Sequence, residues 1–522
     1  MIMSPQQWRR PAESGVATIL SLHDLSAKAF GRRLEHGRDD PGIPLCVKLE
    51  GAILRTGTTA ELAMALVRRR PSMVFALLGW LFRGAAEFRN RVAEQAAFDP
   101  AALPYRRPFL MFLRREAASG RDILLVTRAR SAVARAIAAH LGLFSGIIEI
   151  EHDEAPRGET IAKALCARFG SGDFDYAGNG HIDLPVWRTA RRSVIVAPSP
   201  RLLGNQIWNS QTADVLCPDD RVSGRYVDAL HPGRWIKNLL IFIPLFDAAN
   251  RNSAHFVVSA YLAFCAYCLV ASAGYVANDL IDLRSDRKHI IKHRRAFASG
   301  RVSIARGIIL FFGLLAAGLG LGLFLSPLLA GWMAVYLALS VSYSLWIKKT
   351  LIVDTFALTA LTMHRVLTGF IIAGTAPPFW LLLFTGFLFF GLGMLTRYGE
   401  LKASRLSGSG LATRAVAYRP GDLDILASFG LAGGYMSVLV LALYVLTPEA
   451  HAAFRSPEAL WALCPVLLYW IGRVWVYARR GRVPEDPILF ALGDPVSRCV
   501  AIGAAAIFCL AAFMVLPLYP AI

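Results

Sequence analysis

From about residue 235 onward the chain repeats one pattern, long apolar runs broken by short polar segments rich in Arg and Lys. The runs fall at roughly 235–249, 254–277, 305–326, 328–347, 351–374, 378–396, 424–446, 457–478 and 498–519. Most approach the ~20 residues that an α-helix needs to cross the hydrocarbon core of a bilayer. They predict about nine transmembrane helices, the first of them short. A soluble helical core seldom holds so many runs of this length.

Before about residue 230 the pattern differs. Short apolar stretches alternate with mixed, helix-like ones. Pro44-Leu45-Cys46-Val47 and Arg121-Asp122-Ile123-Leu124-Leu125-Val126-Thr127 read as strands, and Phe174 to Asn179 as a strand running into a turn. This alternation predicts an α/β fold with a parallel sheet. The apolar stretch Met73 to Phe82 is too short to span a membrane and reads as a core or cap helix, ahead of the alternative of a membrane-surface contact. Residues 201–230 mix Pro, Asp, Gly and Arg in the manner of a linker. The expected organisation is a soluble α/β domain over 1–200, a linker over 201–230 and an all-α polytopic membrane bundle over 231–522.

Composition sharpens this picture only where it is read by position. The mean hydropathy is +0.45 and 55% of the residues are hydrophobic, values carried mainly by the second half. The formal net charge is +19. A basic balance can serve nucleic acid, a membrane surface or an anionic substrate. The cations lie largely in loops between apolar runs, which favours membrane and substrate over nucleic acid. One set of loops carries Arg284, Arg287, Lys288, Lys292, Arg294, Arg295 and Arg301, then Lys348 and Lys349, then Arg397, Lys402, Arg405, Arg414 and Arg419, then Arg479, Arg480 and Arg482. The opposite loops carry little beyond Arg251 and Arg455. The positive-inside rule then places the basic loops and the N-terminal domain in the cytoplasm, with the chain in the cell's plasma membrane. Met1 to Gly15 is polar and shows no signal-peptide core. The 8 cysteines are scattered; Cys265 and Cys268 form a CxxC inside an apolar run with no second pair, which does not read as a zinc or redox site.

The chemistry concentrates at the end of the second run, in Asn278-Asp279-Leu280-Ile281-Asp282-Leu283-Arg284-Ser285-Asp286-Arg287. Asn278, Asp282 and Asp286 are four apart and share one helical face. Carboxylates stacked in this way repel unless a cation lies between them. Mg²⁺ commonly binds through a few carboxylates plus phosphate oxygens. The cations that follow, Lys288, His289, Lys292, Arg294 and Arg295, suit an anion bridged to that metal, such as a diphosphate. Positive-inside bias accounts for the cations but not for the acidic face. A second element, Tyr343-Ser344-Leu345-Trp346-Ile347-Lys348-Lys349, precedes Asp354. Arg365 lies within the next run and should face a polar partner or cavity. Arg397, Tyr398 and Glu400 close a later run.

With these residues in hand, the membrane half resembles the UbiA superfamily of intramembrane prenyltransferases over roughly residues 228–522. The first signature is Asn278-Asp279-x-x-Asp282-x-x-x-Asp286-Arg287-x-His289-x-x-Lys292-x-x-Arg295-x-x-Ala298-Ser299-Gly300. Ile290 and Ala296 stand where this stretch often has proline. His231-Pro232-Gly233-Arg234-Trp235-Ile236-Lys237-Asn238, with Tyr343, Lys348 and Asp354, is similar to the branch of polyprenyl-phosphate phosphoribosyltransferases. Leu358 stands where an aromatic prenyltransferase carries the second aspartate of its Asp-x-x-x-Asp motif.

The resemblance implies a helical bundle with a central cavity and Mg²⁺ as cofactor. It implies metal ligands Asn278, Asp282, Asp286 and Asp354, with Asp279 beside them in the catalytic set. Substrate contacts fall to Lys237, Arg287, His289, Lys292, Arg295, Tyr343, Lys348, Arg365 and Arg397. The implied partners are a polyprenyl phosphate or diphosphate lipid and either an aromatic acceptor or phosphoribosyl diphosphate. In one branch an allylic diphosphate ionises and an aromatic ring attacks. In the other a polyprenyl phosphate attacks C1 of the phosphoribosyl donor. Both steps need a stabilised diphosphate leaving group in a dry pocket, and the residues do not choose between them. A transporter would show internal repeats or broken helices in matching halves, which are not evident. A lipid-binding anchor for the soluble domain would not need the intact aspartate motif.

The N-terminal domain is similar to HAD-like phosphatase domains. Its nucleophile motif, Asp-x-Asp-Gly-Thr, reads Lys48-Leu49-Glu50-Gly51-Ala52 here. Thr127 and Gly178-Asn179…Asp183 match better, and Ile161 takes the place of the phosphate-binding lysine, with Lys163 nearby. Lysine cannot form an aspartyl-phosphate. The expectation is a catalytically dead domain.

Overall fold

Strand β1, Leu45–Lys48, runs through the middle of a six-stranded sheet, and its first three side chains are fully buried. In this computed structural model the described residues are 42–96, 99–127, 131–150, 157–198, 213–216, 224–246, 254–289, 292–406, 418–483 and 487–514. Met1 to Gly15, most of the 201–230 linker, Arg251, Ile290 and Arg414 lie outside them. The chain divides into two compact units, one of Met1–Arg55 with Tyr105–Asp220, the other of Thr56–Pro104 with Arg221–Ile522. The sequence reading assigns 56–104 to the first domain. The structure instead groups this excursion, made of α1 (Thr58–Arg69), α2 (Met73–Phe82) and α3 (Ala85–Gln95), with the membrane helices.

The first unit resumes with α4 (Arg107–Ala118) and β2 (Ile123–Thr127), then α5 (Ser131–Leu141), β3 (Gly146–Glu149), α6 (Arg157–Phe169), β4 (Asp175–Gly178), α7 (Leu184–Thr189), β5 (Arg192–Val196) and β6 (Ala213–Leu216). All five strand pairings are parallel, in the order β3-β2-β1-β4-β5-β6. The near-continuous apolar strands suit a parallel sheet. Cys46, Leu124, Val126 and Tyr176 pack against Ile161, Leu165 and Trp187 from the helices. The order reverses between β1 and β4, which places a crevice at the carboxyl ends of these two strands.

The second unit continues with α8 (Gly224–Leu230), a 3-10 segment (Pro232–Phe246), α9 (Ala254–Ile281), α10 (Leu283–Lys288), α11 (Ile304–Leu325), α12 (Pro327–Leu345), α13 (Val353–Ala373), α14 (Phe379–Leu406), α15 (Leu423–Val445), α16 (Leu463–Arg479) and α17 (Pro495–Phe513). Among the described residues, 8 helices are long and apolar enough to cross a membrane. The ninth expected run, 235–249, forms the 3-10 segment with Pro244 inside it. Proline lacks the amide hydrogen and clashes with the preceding turn, so it disfavours a regular α-helix there. This segment lies directly on α13. A Cβ at Gly369 would stand 2.3 Å from the Ile241 carbonyl oxygen, so only glycine allows the approach. The protein is a multi-pass membrane protein carrying an α/β unit at its N-terminal side.

Candidate active site

The aspartate ladder spans a helix junction. Asp282 leaves α9 and enters α10, yet its N–H donates to the Asn278 carbonyl at 2.9 Å and its own carbonyl accepts from the Asp286 N–H at 2.9 Å. Helical spacing therefore continues through the junction, and Asn278, Asp282 and Asp286 stay one above another.

Each carboxylate meets a cation from elsewhere in the unit. Lys348 Nζ lies 2.6 and 2.7 Å from the two oxygens of Asp282. Arg295 donates to Asp279 at 3.0 Å and to Asp286 at 2.9 Å through one nitrogen. Asp279 also pairs with His231 Nε2 at 2.9 Å. Asp279 and Asp286 are buried, 2% and 4% exposed. Burial pushes Asp286 up from its usual 3.8 to about 6; Arg295 opposes this, while Asp279 and Asp282 add to it. Arg295 and Lys348, placed apart in sequence, thus close on the ladder.

A second cluster centres on Arg397. Its Nε donates to Asp354 at 2.5 Å, and its terminal nitrogens reach Glu400 and the Tyr343 hydroxyl. Tyr418 donates to the other Asp354 oxygen at 2.7 Å and accepts the Ile352 N–H at 3.0 Å. Ile352 has φ +66°, which is strained for a β-branched residue. That strain sits directly at the start of α13, where Asp354 is held. Lys292 Nζ stands 4.0 Å from Glu400, linking this cluster to the loop after the ladder.

Three expected site residues have other partners. Asp354 is fully buried, with its two oxygens engaged by Arg397, Tyr418 and Thr355. Arg365 meets the expectation of a polar partner inside a span, but its donors go to Asn238, Tyr336 and the Leu361 carbonyl. Arg287 is turned to Glu61 on α1, at 2.7 and 2.9 Å, and to the carbonyls of Ala102 and Ala298. Lys237, Asn278, His289 and Lys292 are half-buried. Sequence reasoning missed Glu61, His231 and Tyr418 as members of the network. Only His231 carried a signal, in the segment that opens the membrane half.

The residues fit a magnesium ion in one specific manner. Among the described residues no three His, Cys, Asp or Glu side chains form a ready metal cage. Mg²⁺ does not need one, since it usually takes one or two carboxylates, several waters and substrate phosphates. Asp282 and Asp286, one turn apart and now held by Lys348 and Arg295, supply such a pair.

In the first unit, the switch-point crevice is filled by an ion pair. Lys48 Nζ lies 2.9 Å from both oxygens of Asp183 and 3.3 Å from Asn179 Oδ1. Asp183 is fully buried, whereas Lys48 is 20% exposed. Asp183 also accepts the backbone N–H groups of Asn179 and Gly180 at 2.8 and 3.0 Å. Gly51, at φ +92°, keeps this crevice narrow: a Cβ there would strike Asn179 at 2.4 Å.

A membrane bundle with a carboxylate ladder met by converging cations at one helix junction defines a polytopic membrane transferase. The chain belongs to the UbiA prenyltransferase family, whose profile matches residues 240–493. It is 30% identical over 461 residues to the protein y4nM of Sinorhizobium fredii, covering 88% of this chain and 89% of that one. It is 33% identical over 284 residues to the nodulation protein NoeC of Azorhizobium caulinodans, covering 54% of this chain and 91% of NoeC. It is 26% identical over 313 residues to the decaprenyl-phosphate phosphoribosyltransferase of Corynebacterium glutamicum, covering 58% of this chain and 90% of that enzyme.

Proposed function

We propose that the membrane unit transfers a group from a diphosphate donor, with Mg²⁺ as cofactor and a polyprenyl lipid as one substrate. The observation that carries this is the pair Asp282 and Asp286 held by Lys348 and Arg295. When bound, Mg²⁺ supplies charge neutralisation for the diphosphate oxygens. The chain's own residues do the rest. Lys348, Arg295, Lys292 and His289 hold the leaving diphosphate, and Asp279 with His231 fixes the Arg295 guanidinium. Arg287, Arg365 and Asp354 keep the helices in register around the site.

The donor we favour is phosphoribosyl diphosphate, with a polyprenyl phosphate as acceptor. The bond from C1 to the diphosphate breaks, the diphosphate departs with the electron pair, and a phosphate oxygen of the lipid forms the new bond to C1. Two observations support this over an aromatic acceptor. Asp354 is committed to Arg397 and Tyr418, and Leu358 follows it where a second aspartate would be needed. A similar protein also carries the name decaprenyl-phosphate phosphoribosyltransferase. The test offers membranes containing the protein polyprenyl phosphate with labelled phosphoribosyl diphosphate, and in parallel polyprenyl diphosphate with 4-hydroxybenzoate. Labelled lipid in the first supports the reading; alkylated aromatic in the second overturns it.

Two further assignments belong to this reading. The basic loops face the cytoplasm of a cell whose plasma membrane holds the chain, following the asymmetry of Lys and Arg. The N-terminal unit is a HAD-like domain without phosphatase activity, because Lys48 stands at the nucleophile position and neutralises Asp183. Mg²⁺-dependent phosphatase turnover by the full chain, lost on changing Asp183, would overturn it.

A further inference from the structure

Helix α2 is apolar on every side. Its ten residues, Met-Val-Phe-Ala-Leu-Leu-Gly-Trp-Leu-Phe, include no charged or strongly polar group. Such a helix is ordinarily buried. Here none of the ten is: Phe75 is 78% exposed, Phe82 90%, Leu81 56% and Leu78 47%. The expectation of a core or cap helix therefore fails in its first form. At ~1.5 Å per residue the helix is about 15 Å long, half of the ~30 Å hydrocarbon core, so it cannot cross a bilayer.

Its surroundings say what covers it. The preceding helix α1 packs on the spanning helices α9 and α11, with Ala60 and Met64 set against a cluster that includes Val276, Leu280, Phe297 and Ile304. Glu61 of α1 is tied to Arg287, and Asp99, beyond α3, to Arg284 at 2.7 Å. Both ends of the excursion are thus fixed at the end of the bundle that carries the aspartate ladder. There α11 begins its own apolar exterior, with Ile309 72% and Phe312 60% exposed. Exposed arginines flank α2 on both sides: Arg68, Arg69 and Arg70 before it and Arg83 after it.

We infer that α2 lies in the interface of the membrane that the bundle spans. Its apolar side chains enter the acyl-chain boundary, and Arg68 to Arg70 with Arg83 meet anionic lipid headgroups. An interfacial helix of this kind gains from buried apolar area and from attraction to anionic lipid together. The helix before it, α1, packs on α11, whose own exterior is apolar at Ile309 and Phe312.

The test uses the full chain reconstituted in nanodiscs containing anionic lipid. Benzoylphenylalanine replaces Phe75, Phe82 or, as a reference within a span, Phe312. After irradiation the adducts are identified by mass spectrometry. Lipid adducts at Phe75 and Phe82 as at Phe312 are expected. Cross-links from Phe75 and Phe82 to a second copy or to another segment of this chain overturn the inference. So does loss of lipid adduct at both positions while Phe312 still labels.

Discussion

The Arg287 guanidinium donates to both carboxylate oxygens of Glu61, at 2.9 and 2.7 Å, across 226 positions of sequence. Arg287 is the immediate neighbour of Asp286, whose carboxyl burial pushes up to about 6. This pair holds α1 to α10. Both partners are nearly buried, 10% and 8% exposed in their side chains. Removing one member of such a pair leaves a buried charge without its counter-ion and costs about 3–5 kcal/mol. Glu61→Ala is therefore expected to lower the thermal midpoint of the detergent-solubilised protein. Glu61→Gln with Arg287→Gln together should recover part of it. Scanning fluorimetry decides; a single variant as stable as the parent would return Arg287 to the substrate.

The ladder carboxylates are expected to be indispensable to turnover. Asp282→Asn and Asp286→Asn keep size and hydrogen bonding but remove the charge that a cation needs. A bound metal supplies several kcal/mol to the departing diphosphate, so each change should lower kcat/KM roughly a hundredfold or more. Transfer assays with labelled donor measure this. Unchanged turnover in both would sink the metal assignment.

Lys348 is expected to act on donor binding. It is held at 2.6 Å from Asp282. A hydrogen bond to a charged group is worth about 1.5–3 kcal/mol. Lys348→Ala should thus weaken the diphosphate donor roughly tenfold to a hundredfold, while the affinity for the lipid stays as it was. A KM for the donor that does not move argues against this placement.

Proton and metal should compete at Asp286. Its folded pKa, pushed by burial to about 6, exceeds the ordinary 3.8. The folded protein therefore binds this proton more tightly than the unfolded chain. Without metal, stability falls as pH rises from about 4 to 6, the sign expected for a raised carboxyl. A cation must displace the proton below pH 6 and meets a ready carboxylate above it. The Mg²⁺ concentration for half-maximal activity should accordingly rise as pH drops from 7 to 5. A requirement for Mg²⁺ that is flat with pH would place the metal elsewhere.

Much of this was legible in the sequence because membrane helices announce themselves by length and apolarity, and the four-residue spacing of Asn278, Asp282 and Asp286 survives any detail of the helix junction. The segment over 232–246 was misread as α-helix because its composition is apolar, whereas Pro244 and the close approach at Gly369 govern its winding. The partners of Arg287, Arg365 and Asp354 were not legible at all. The pairings of Arg287 with Glu61, Arg365 with Asn238 and Asp354 with Arg397 join residues 226, 127 and 43 positions apart, and no local pattern encodes which of several basic residues turns toward a structural partner. The grouping of 56–104 with the membrane unit was not legible for the same reason: it rests on the packing of α1 against α9 and α11, which no local pattern encodes.

The ion pair in the sheet crevice yields the last prediction. Asp183 is fully buried and bonded by two backbone amides, and Lys48 supplies its counter-charge at 2.9 Å. The ammonium occupies the position that a divalent cation could take between Asp183 and Asn179. In the native chain the site should then be indifferent to Mg²⁺. Lys48→Ala removes the internal cation, leaves Asp183 uncompensated, and should destabilise the α/β unit by about 3–5 kcal/mol. The space it vacates keeps two carboxylate oxygens and the Asn179 carbonyl, a hard oxygen set suited to Mg²⁺. Millimolar Mg²⁺ should restore part of the loss in the Lys48→Ala variant, by the ordinary linkage of ligand binding to folding. Hydrogen exchange over β1 and β4 in the full-length protein reads this unit separately from the membrane helices. Protection that falls in the variant and recovers with Mg²⁺ is the expected result; protection that falls and ignores Mg²⁺ would mean that Lys48 closes the crevice without standing in for a metal.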